Sequence, residues 1–413
     1  MAYYSGSFER ERGVLAVKEK VAQILDYIIE YSLYILIFFI PIGKAPLQIF
    51  ATIAFVAFVV KKILKPELSF LKSPLHYFLL AFVGFSALSL FAAGPLIGKA
   101  LVALFFKWLK YLGIFLFFED TINNQKRIRN ALLIFFTSGV LVGVDGIFQK
   151  FSSIDFLRHW KLIPVNQGLS GVCASFNHYN DFGAYLIVIL SLVIALSISG
   201  RLKNSALFGL IIIEVLLSFC LIFTFSRGAW LGFVCTLFLM FILSSRNMAK
   251  KLVFVIPVFI GIFILVPELK ERILFTFTPS GDVDRLKVWH AAFVMIKESP
   301  LLGRGIGLFM DNFTRITPNL YAQYTHNCYL QIWAETGIFS LLSFLGFMIL
   351  LLIKGIKVFK QNHNFLVLGI TCGLFGFLVH SFFDTQFYSV QTAVLFWSMA
   401  GILNVIDEKQ IQV

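Results

Sequence analysis

Charge is scarce in this chain. Asp, Glu, Lys and Arg make up 14% of its 413 residues, against roughly 25% in a soluble domain, so a water-soluble fold is a poor fit. Cysteine is scarce too, with five residues, an odd number. Cys220, Cys235 and Cys372 lie inside apolar runs and read as small buried hydrophobes. Cys173 and Cys328 fall in polar stretches, where a disulfide between them stays open although nothing in their spacing requires it. No metal-ligand spacing involves any cysteine, and no cofactor motif is evident. Leu301-Leu302-Gly303-Arg304-Gly305-Ile306-Gly307 has the glycines of a phosphate loop, but no Lys-Ser/Thr follows and no strand precedes it, so it reads as a turn. Asp282-Val283-Asp284 has the spacing of a metal element and reads as a helix cap. The N-terminus shows no signal-peptide pattern, because Glu9, Glu11 and Glu19 alternate with Arg10, Arg12 and Lys18. There is no internal repeat and no low-complexity segment.

What is abundant is apolar residue, 59% of the chain with 49 Phe, and it comes in long runs. A helix needs roughly 20 apolar residues to cross a bilayer core. Twelve segments qualify within soft limits: 27–42, 47–60, 75–91, 101–118, 131–148, 182–199, 206–224, 229–243, 252–266, 338–353, 365–383 and 390–406. The expected fold is therefore an all-α polytopic membrane protein of about 12 transmembrane helices, a single membrane domain over 1–413. A smaller outer loop covers 149–181, and a large helical one, 267–337, lies between helices 9 and 10.

The net charge of +13 raises the question of nucleic acid. Its distribution answers differently. Basic residues cluster in every second loop: Arg10, Arg12, Lys18 and Lys20; Lys61, Lys62, Lys65 and Lys72; Lys126, Arg127 and Arg129; Arg201 and Lys203; Arg246, Lys250 and Lys251; Lys354, Lys357 and Lys360; and Lys409. The short loops between them hold Lys44, Lys99 or Arg227 singly. That bias places both termini in the cytoplasm and predicts membrane lipids, not nucleic acid, around the chain. Lys107, Lys110, Asp145 and Glu214 lie inside apolar segments. Each either reaches an interface or lines a polar site.

The outer loop holds the chemistry-bearing residues. From Asp284 a helical stretch runs to about Glu298, with Leu286, Trp289, Phe293 and Ile296 spaced as one apolar face. Arg285 in its first turn, beside unpaired backbone N–H groups, suits an anion, although pairing with a neighbouring Asp is equally open. Thr325-His326-Asn327-Cys328 opens a second helix running through Glu335. Histidine can both take up and release a proton near neutrality, so His326 is a candidate base; His178, His290 and His380 carry the same chemistry. Arg227, in Ser226-Arg227-Gly228, sits in a short outer loop where the charge bias disfavours it. Its fork of donors suits a phosphate, and snorkelling to lipid headgroups is the alternative.

Taken in order, Asn177-His178-Tyr179-Asn180, Ser226-Arg227-Gly228, Arg285 with Trp289, Pro300-Leu301-Leu302-Gly303-Arg304-Gly305, and His326-Asn327 with Glu335-Thr336-Gly337 resemble the O-antigen ligases of the ligase/polymerase superfamily. The resemblance implies a glycosyltransferase of the bacterial inner membrane with a periplasmic active site. It would move a glycan from undecaprenyl-pyrophosphate to lipid A–core oligosaccharide, inverting and without a metal or other cofactor. It assigns Arg227 and Arg285 to the donor pyrophosphate and His326 to the base, with Asn327, Asn180, His178, Trp289 and Arg304 in support. An O-antigen polymerase or a protein O-oligosaccharyltransferase would share that donor. Intramembrane charges leave a transporter or flippase open as a reading of another class. The oligomeric state is open.

Overall fold

The structure, a computed structural model, describes residues 2–66, 73–166, 168–245, 261, 267–274, 283–317 and 324–406. Helices dominate: α1 (Ala2–Phe39), α2 (Lys44–Leu64), α3 (Pro74–Leu88), α4 (Ile97–Ala103), α5 (Lys110–Thr121), α6 (Gln125–Ser152), α7 (Tyr179–Ile198), α8 (Asn204–Phe223) and α9 (Arg227–Leu243). Then come α10 (Pro267–Leu274), α11 (Val283–Glu298), α12 (Phe309–Ile316), α13 (Cys328–Thr336), α14 (Ile338–Asn362), α15 (Phe365–His380) and α16 (Val390–Val405). One small antiparallel hairpin, β1 (Ile163–Asn166) with β2 (Leu169–Gly171), departs from an all-α chain.

Among the described residues, eight helices are long and apolar enough to cross a membrane. They coincide with the expected segments from 27–42 to 131–148, and with 182–199, 206–224 and 338–353. Three expected spans prove shorter: α9 has 17 residues, α15 and α16 have 16 each. The segment 252–266 lies outside the described residues apart from Gly261, as does Asp282 of the stretch expected to cap the outer-loop helix.

Hydrophobicity suits these helices to a bilayer; small residues decide how closely they pack. α7 is the central helix, with every residue from Phe182 to Ala195 buried. It packs on α15, α8 and α9. Gly369 and Gly373 on α15 face it so closely that an added Cβ would stand 2.8 Å from the Leu192 Cα and 3.1 Å from the Val188 Cα. Spaced four apart, they let two apolar helices meet backbone to backbone, which is how association proceeds without a water-driven force. The Ser191 hydroxyl donates to the Gly369 carbonyl at 2.7 Å in that contact.

Chain direction alternates, so the starts of α7, α9 and α16 share one end of the bundle with the ends of α8 and α15. At the other end, basic residues meet carboxylates: Lys61 pairs with Asp26 at 2.5 Å and Asp120 at 2.6 Å, and Arg127 with Glu30 at 2.8 Å.

Over the first end lies the outer segment, with its own small core. α11 turns Val288, Ala291, Ala292, Met295 and Ile296 toward Phe309 and Phe313 of α12 and Leu330 and Ala334 of α13. This corrects the expected face. Leu286 and Phe293 are exposed; the buried stripe has the same period but is offset, and its two alanines made it inconspicuous. The glycine-rich turn after α11 is structural, as expected. Gly303 has φ +71°, and an added Cβ would stand 2.3 Å from the Glu335 carbonyl, so only glycine fits. The Glu335 carboxylate is buried and accepts from Gly307 N (3.0 Å), Phe309 N (3.3 Å), Gln331 Nε2 (3.1 Å) and the Tyr388 hydroxyl (3.1 Å).

All five cysteines are free, so Cys173 and Cys328 are not joined. Asp145 holds the 149–181 loop: its carboxylate accepts from Phe156 N at 2.8 Å and from the Ser175 hydroxyl at 3.3 Å.

Candidate functional site

Three arginines converge on one cavity at the end of the bundle where α7 and α9 begin. The cavity has a volume of about 300 Å³, and Arg227, Arg272 and Arg285 line it with Tyr179, Asn180, Trp289, His380 and Phe383. That volume is at the lower end of small-molecule sites, enough for a diphosphate and part of an attached sugar. Leu231 and Leu286 complete an apolar side.

Each local sequence explains its placement. Ser226 is the N-cap of α9, its hydroxyl accepting from Ala229 N at 3.3 Å. Arg227 is thus the first residue of a 17-residue helix, where unpaired N–H groups and the helix dipole already favour negative charge. Gly228 admits His380: an added Cβ would stand 2.8 Å from the imidazole Cδ2. Arg285 projects from the first turn of α11. Trp289, one turn on, is fixed by its indole N–H, which donates to the Thr325 carbonyl at 2.9 Å. Arg272, on α10, is buried, and its Nε donates to the Phe225 carbonyl at 3.1 Å. Phe225 itself has φ +54°, so this bond holds an unfavourable corner directly before Ser226-Arg227.

His326 stands at a second corner, with φ +53°. Thr325 and Asn327 fix it. The Thr325 hydroxyl donates to the Asn327 carbonyl at 2.6 Å, and Asn327 caps α13 by accepting from Leu330 N at 3.0 Å. The imidazole, 46% exposed, places Nδ1 3.0 Å from Asp384 Oδ1. The other Asp384 oxygen accepts from Asn180 Nδ2 at 2.5 Å, and Asn180 Oδ1 accepts from the Ser226 hydroxyl at 2.7 Å. An unbroken chain of hydrogen bonds therefore runs from His326 to the start of α9, whose first residue is Arg227.

The buried carboxyl of Asp384 would be driven up by desolvation, but the hydrogen bond from His326 and the facing His326, His178 and His380 hold it well below the usual carboxylate range. His178 is the N-cap of α7, its Nδ1 accepting from Asn180 N at 3.2 Å. Burial lowers its basicity, against the pull of Asp384. It braces Asn180 and does not line the cavity. Arg304 stands apart: it pairs with Glu298, which also holds Arg315 at 2.6 Å. Of the eight residues singled out in the sequence, Arg227, Arg285, Trp289 and Asn180 line the cavity, His326 is tied to it, and His178 and Asn327 support those ties.

Two residues went unnoticed. Arg272 lies in Pro267-Glu268-Leu269-Lys270-Glu271-Arg272, an alternation of charges that looks like solvated surface. Asp384 carried a signal, being the only Asp, Glu, Lys or Arg between Phe365 and Ile406. Among the described residues no group of three or more His, Cys, Asp and Glu is placed to hold a metal ion.

Residues 212–345 match the O-antigen ligase family, which is consistent with a member of the O-antigen ligase superfamily. The matched stretch contains Arg227, Arg272, Arg285 and His326 and stops short of Asp384. No curated protein matches the chain.

Proposed function

We propose that the chain is a glycosyltransferase that moves a glycan from undecaprenyl-pyrophosphate to lipid A–core oligosaccharide, at the periplasmic face of the bacterial inner membrane. The observation that carries this is the hydrogen-bonded chain joining His326, through Asp384, Asn180 and Ser226, to a cavity lined by three arginines. A cation cluster at a helix N-terminus with a histidine–carboxylate pair alongside suits transfer from a sugar diphosphate.

In this reading the guanidiniums of Arg227, Arg272 and Arg285 and the α9 N-terminus hold the donor diphosphate. They neutralise charge as the bond from the anomeric carbon to the phosphate oxygen breaks, the role a divalent metal plays elsewhere. The acceptor hydroxyl attacks the anomeric carbon from the opposite side and inverts it. His326 takes the hydroxyl proton, and Asp384 orients the ring and balances the imidazolium that forms. Undecaprenyl diphosphate leaves. The full count of twelve spans, with both termini cytoplasmic, belongs to the same proposal.

The test is to incubate the purified protein with an undecaprenyl-pyrophosphate glycan and lipid A–core, with and without chelator. Glycan should appear on the core in both. No transfer, or transfer lost with chelator, would overturn the reading. A deletion strain separates the branches: a ligase mutant leaves bare core and accumulates lipid-linked polymer, whereas a polymerase mutant leaves core bearing a single repeat.

A further inference from the structure

The fourth span is not a plain helix. Between α4 and α5 the segment Leu104–Leu109 widens into a π-helical turn. Such turns arise where an inserted residue is held against helix economy, frequently at functional sites. Its charged residue is Lys107. Immediately above, Gly307 packs on Ala103 so closely that an added Cβ would stand 2.4 Å from the Ala103 Cβ. The outer segment therefore reaches down to Ala103, and Lys107 lies one helical turn below it, at the floor of the outer end.

The half-buried ammonium of Lys107 faces two rings, 4.5 Å from the centroid of Tyr388 and 5.4 Å from that of Tyr324. Among the described residues no carboxylate or other hydrogen-bond acceptor lies within bonding reach of it. Glu335 is near enough to feel its charge, but four protein donors already occupy that carboxylate. A cation at this depth without an anion is costly, and ring faces compensate only in part. None of Lys107, Tyr324 and Tyr388 lines the three-arginine cavity. Yet Tyr324 is two residues before His326, and Tyr388 is four after Asp384. Two of its three members thus flank the histidine–carboxylate pair in the chain.

We infer that Lys107, Tyr324 and Tyr388 form the acceptor subsite, in which the acceptor saccharide lies against the half-buried ring of Tyr324, the buried ring of Tyr388 backs the ammonium, and an anionic group on the saccharide, phosphate or carboxylate, pairs with Lys107. The inference rests on the transferase reading above and extends it to substrate class. The donor's charge is matched by the arginines, so a separate cation outside their cavity selects a negatively charged acceptor. Aromatic faces suit the apolar faces of sugar rings, and the ammonium supplies the discrimination that stacking lacks.

The test uses a neutral donor glycan and three acceptors: intact lipid A–core, its dephosphorylated form and its carboxyl-reduced form. The unmodified protein should prefer the intact acceptor over one of the stripped forms at least tenfold in kcat/KM, which also tells phosphate from carboxylate. Lys107→Gln should reduce that ratio about tenfold, and Lys107→Arg should retain most of it. Indifference of the unmodified protein to both modifications would overturn the inference whether or not the variants fold. So would a raised donor KM in Lys107→Gln with the ratio unchanged, since that assigns the lysine to the donor. A defect in Lys107→Gln seen only with phosphatidylglycerol present would assign it to a lipid headgroup and equally overturn the subsite. No transfer to any acceptor by the unmodified protein would remove the transferase reading and this one with it.

Discussion

Arg227 and Arg285 are 58 residues apart in the chain, and each enters the cavity from the first turn of its own helix. A guanidinium presents parallel donors to two phosphate oxygens, whereas an ammonium on the same stem presents a point charge. Arg285→Lys and Arg227→Lys are therefore each expected to lower transfer on the order of a hundredfold, comparable to removing one preorganised donor from a developing anion. Weaker binding of the lipid-linked donor should accompany the loss, and unchanged donor affinity would speak against the assignment. His326→Ala should abolish transfer while the protein still inserts in the membrane; turnover at the unmodified rate would remove the base. Asp384 acts through the imidazole. Asp384→Asn keeps the shape and removes the charge, so kcat should fall on the order of a hundredfold or more with the donor KM little changed, and Asp384→Glu should recover part of it. A raised donor KM with kcat unchanged would speak against a role in orienting the base. The same carboxyl links pH to stability. Its pKa is depressed on folding, so its contribution is complete above the unfolded value of about 3.9 and is lost as pH falls through the folded one. Thermal unfolding in detergent should thus show a steeper acid limb below about pH 4 in the unmodified protein than in Asp384→Asn.

At the scale of elements, the outer segment is held to the bundle by one buried carboxylate and a glycine-rich turn. Glu335 gathers α12, α13, the turn at Gly307 and Tyr388 around two oxygens. In Glu335→Gln one oxygen becomes an amide NH2 facing a donor, leaving a buried N–H or hydroxyl unpaired, so a loss of about 1–3 kcal/mol is expected. A thermal shift in detergent measures it, and a variant melting with the unmodified protein would show that the network does not hold the segment. Sequence showed α11 and α13 clearly, because helical spacing of apolar residues marks the one and Thr325-His326-Asn327 opens the other. It misplaced the buried face of α11, because Ala291 and Ala292 carry little hydrophobicity yet permit the closest packing. It concealed β1 and β2, whose few residues have no room for a period of two. It also left Arg272 looking like surface, since only the fold brings α10 against the strained Phe225 corner.

The molecule as a whole was legible where hydrophobicity decides: the long apolar runs among the described residues became helices. Helix length was less legible. α15 and α16 rise only about 24 Å, short of a full apolar crossing, and their outer ends continue as the buried turn that carries Asp384. Non-helical backbone at such depth is sustained only inside protein or along a cavity, so the short helices and the recessed site have one cause. The same geometry fixes a test of orientation. Arg315 and Lys99 lie at the cavity end and are half exposed or more; Lys203 and Lys360 are exposed at the opposite end. Cys173, Cys220, Cys328 and Cys372 are buried and only Cys235 is partly accessible, so Cys235→Ser leaves a background nearly silent to thiol reagents. On that background a membrane-impermeant maleimide, applied to cells opened at the outer membrane alone, should label Arg315→Cys and Lys99→Cys. It should reach Lys203→Cys and Lys360→Cys only after the inner membrane is broken. Labelling of the second pair in sealed cells would invert the protein. The arginine cavity would then face the cytoplasm, where a glycan already moved to the outer leaflet cannot reach it.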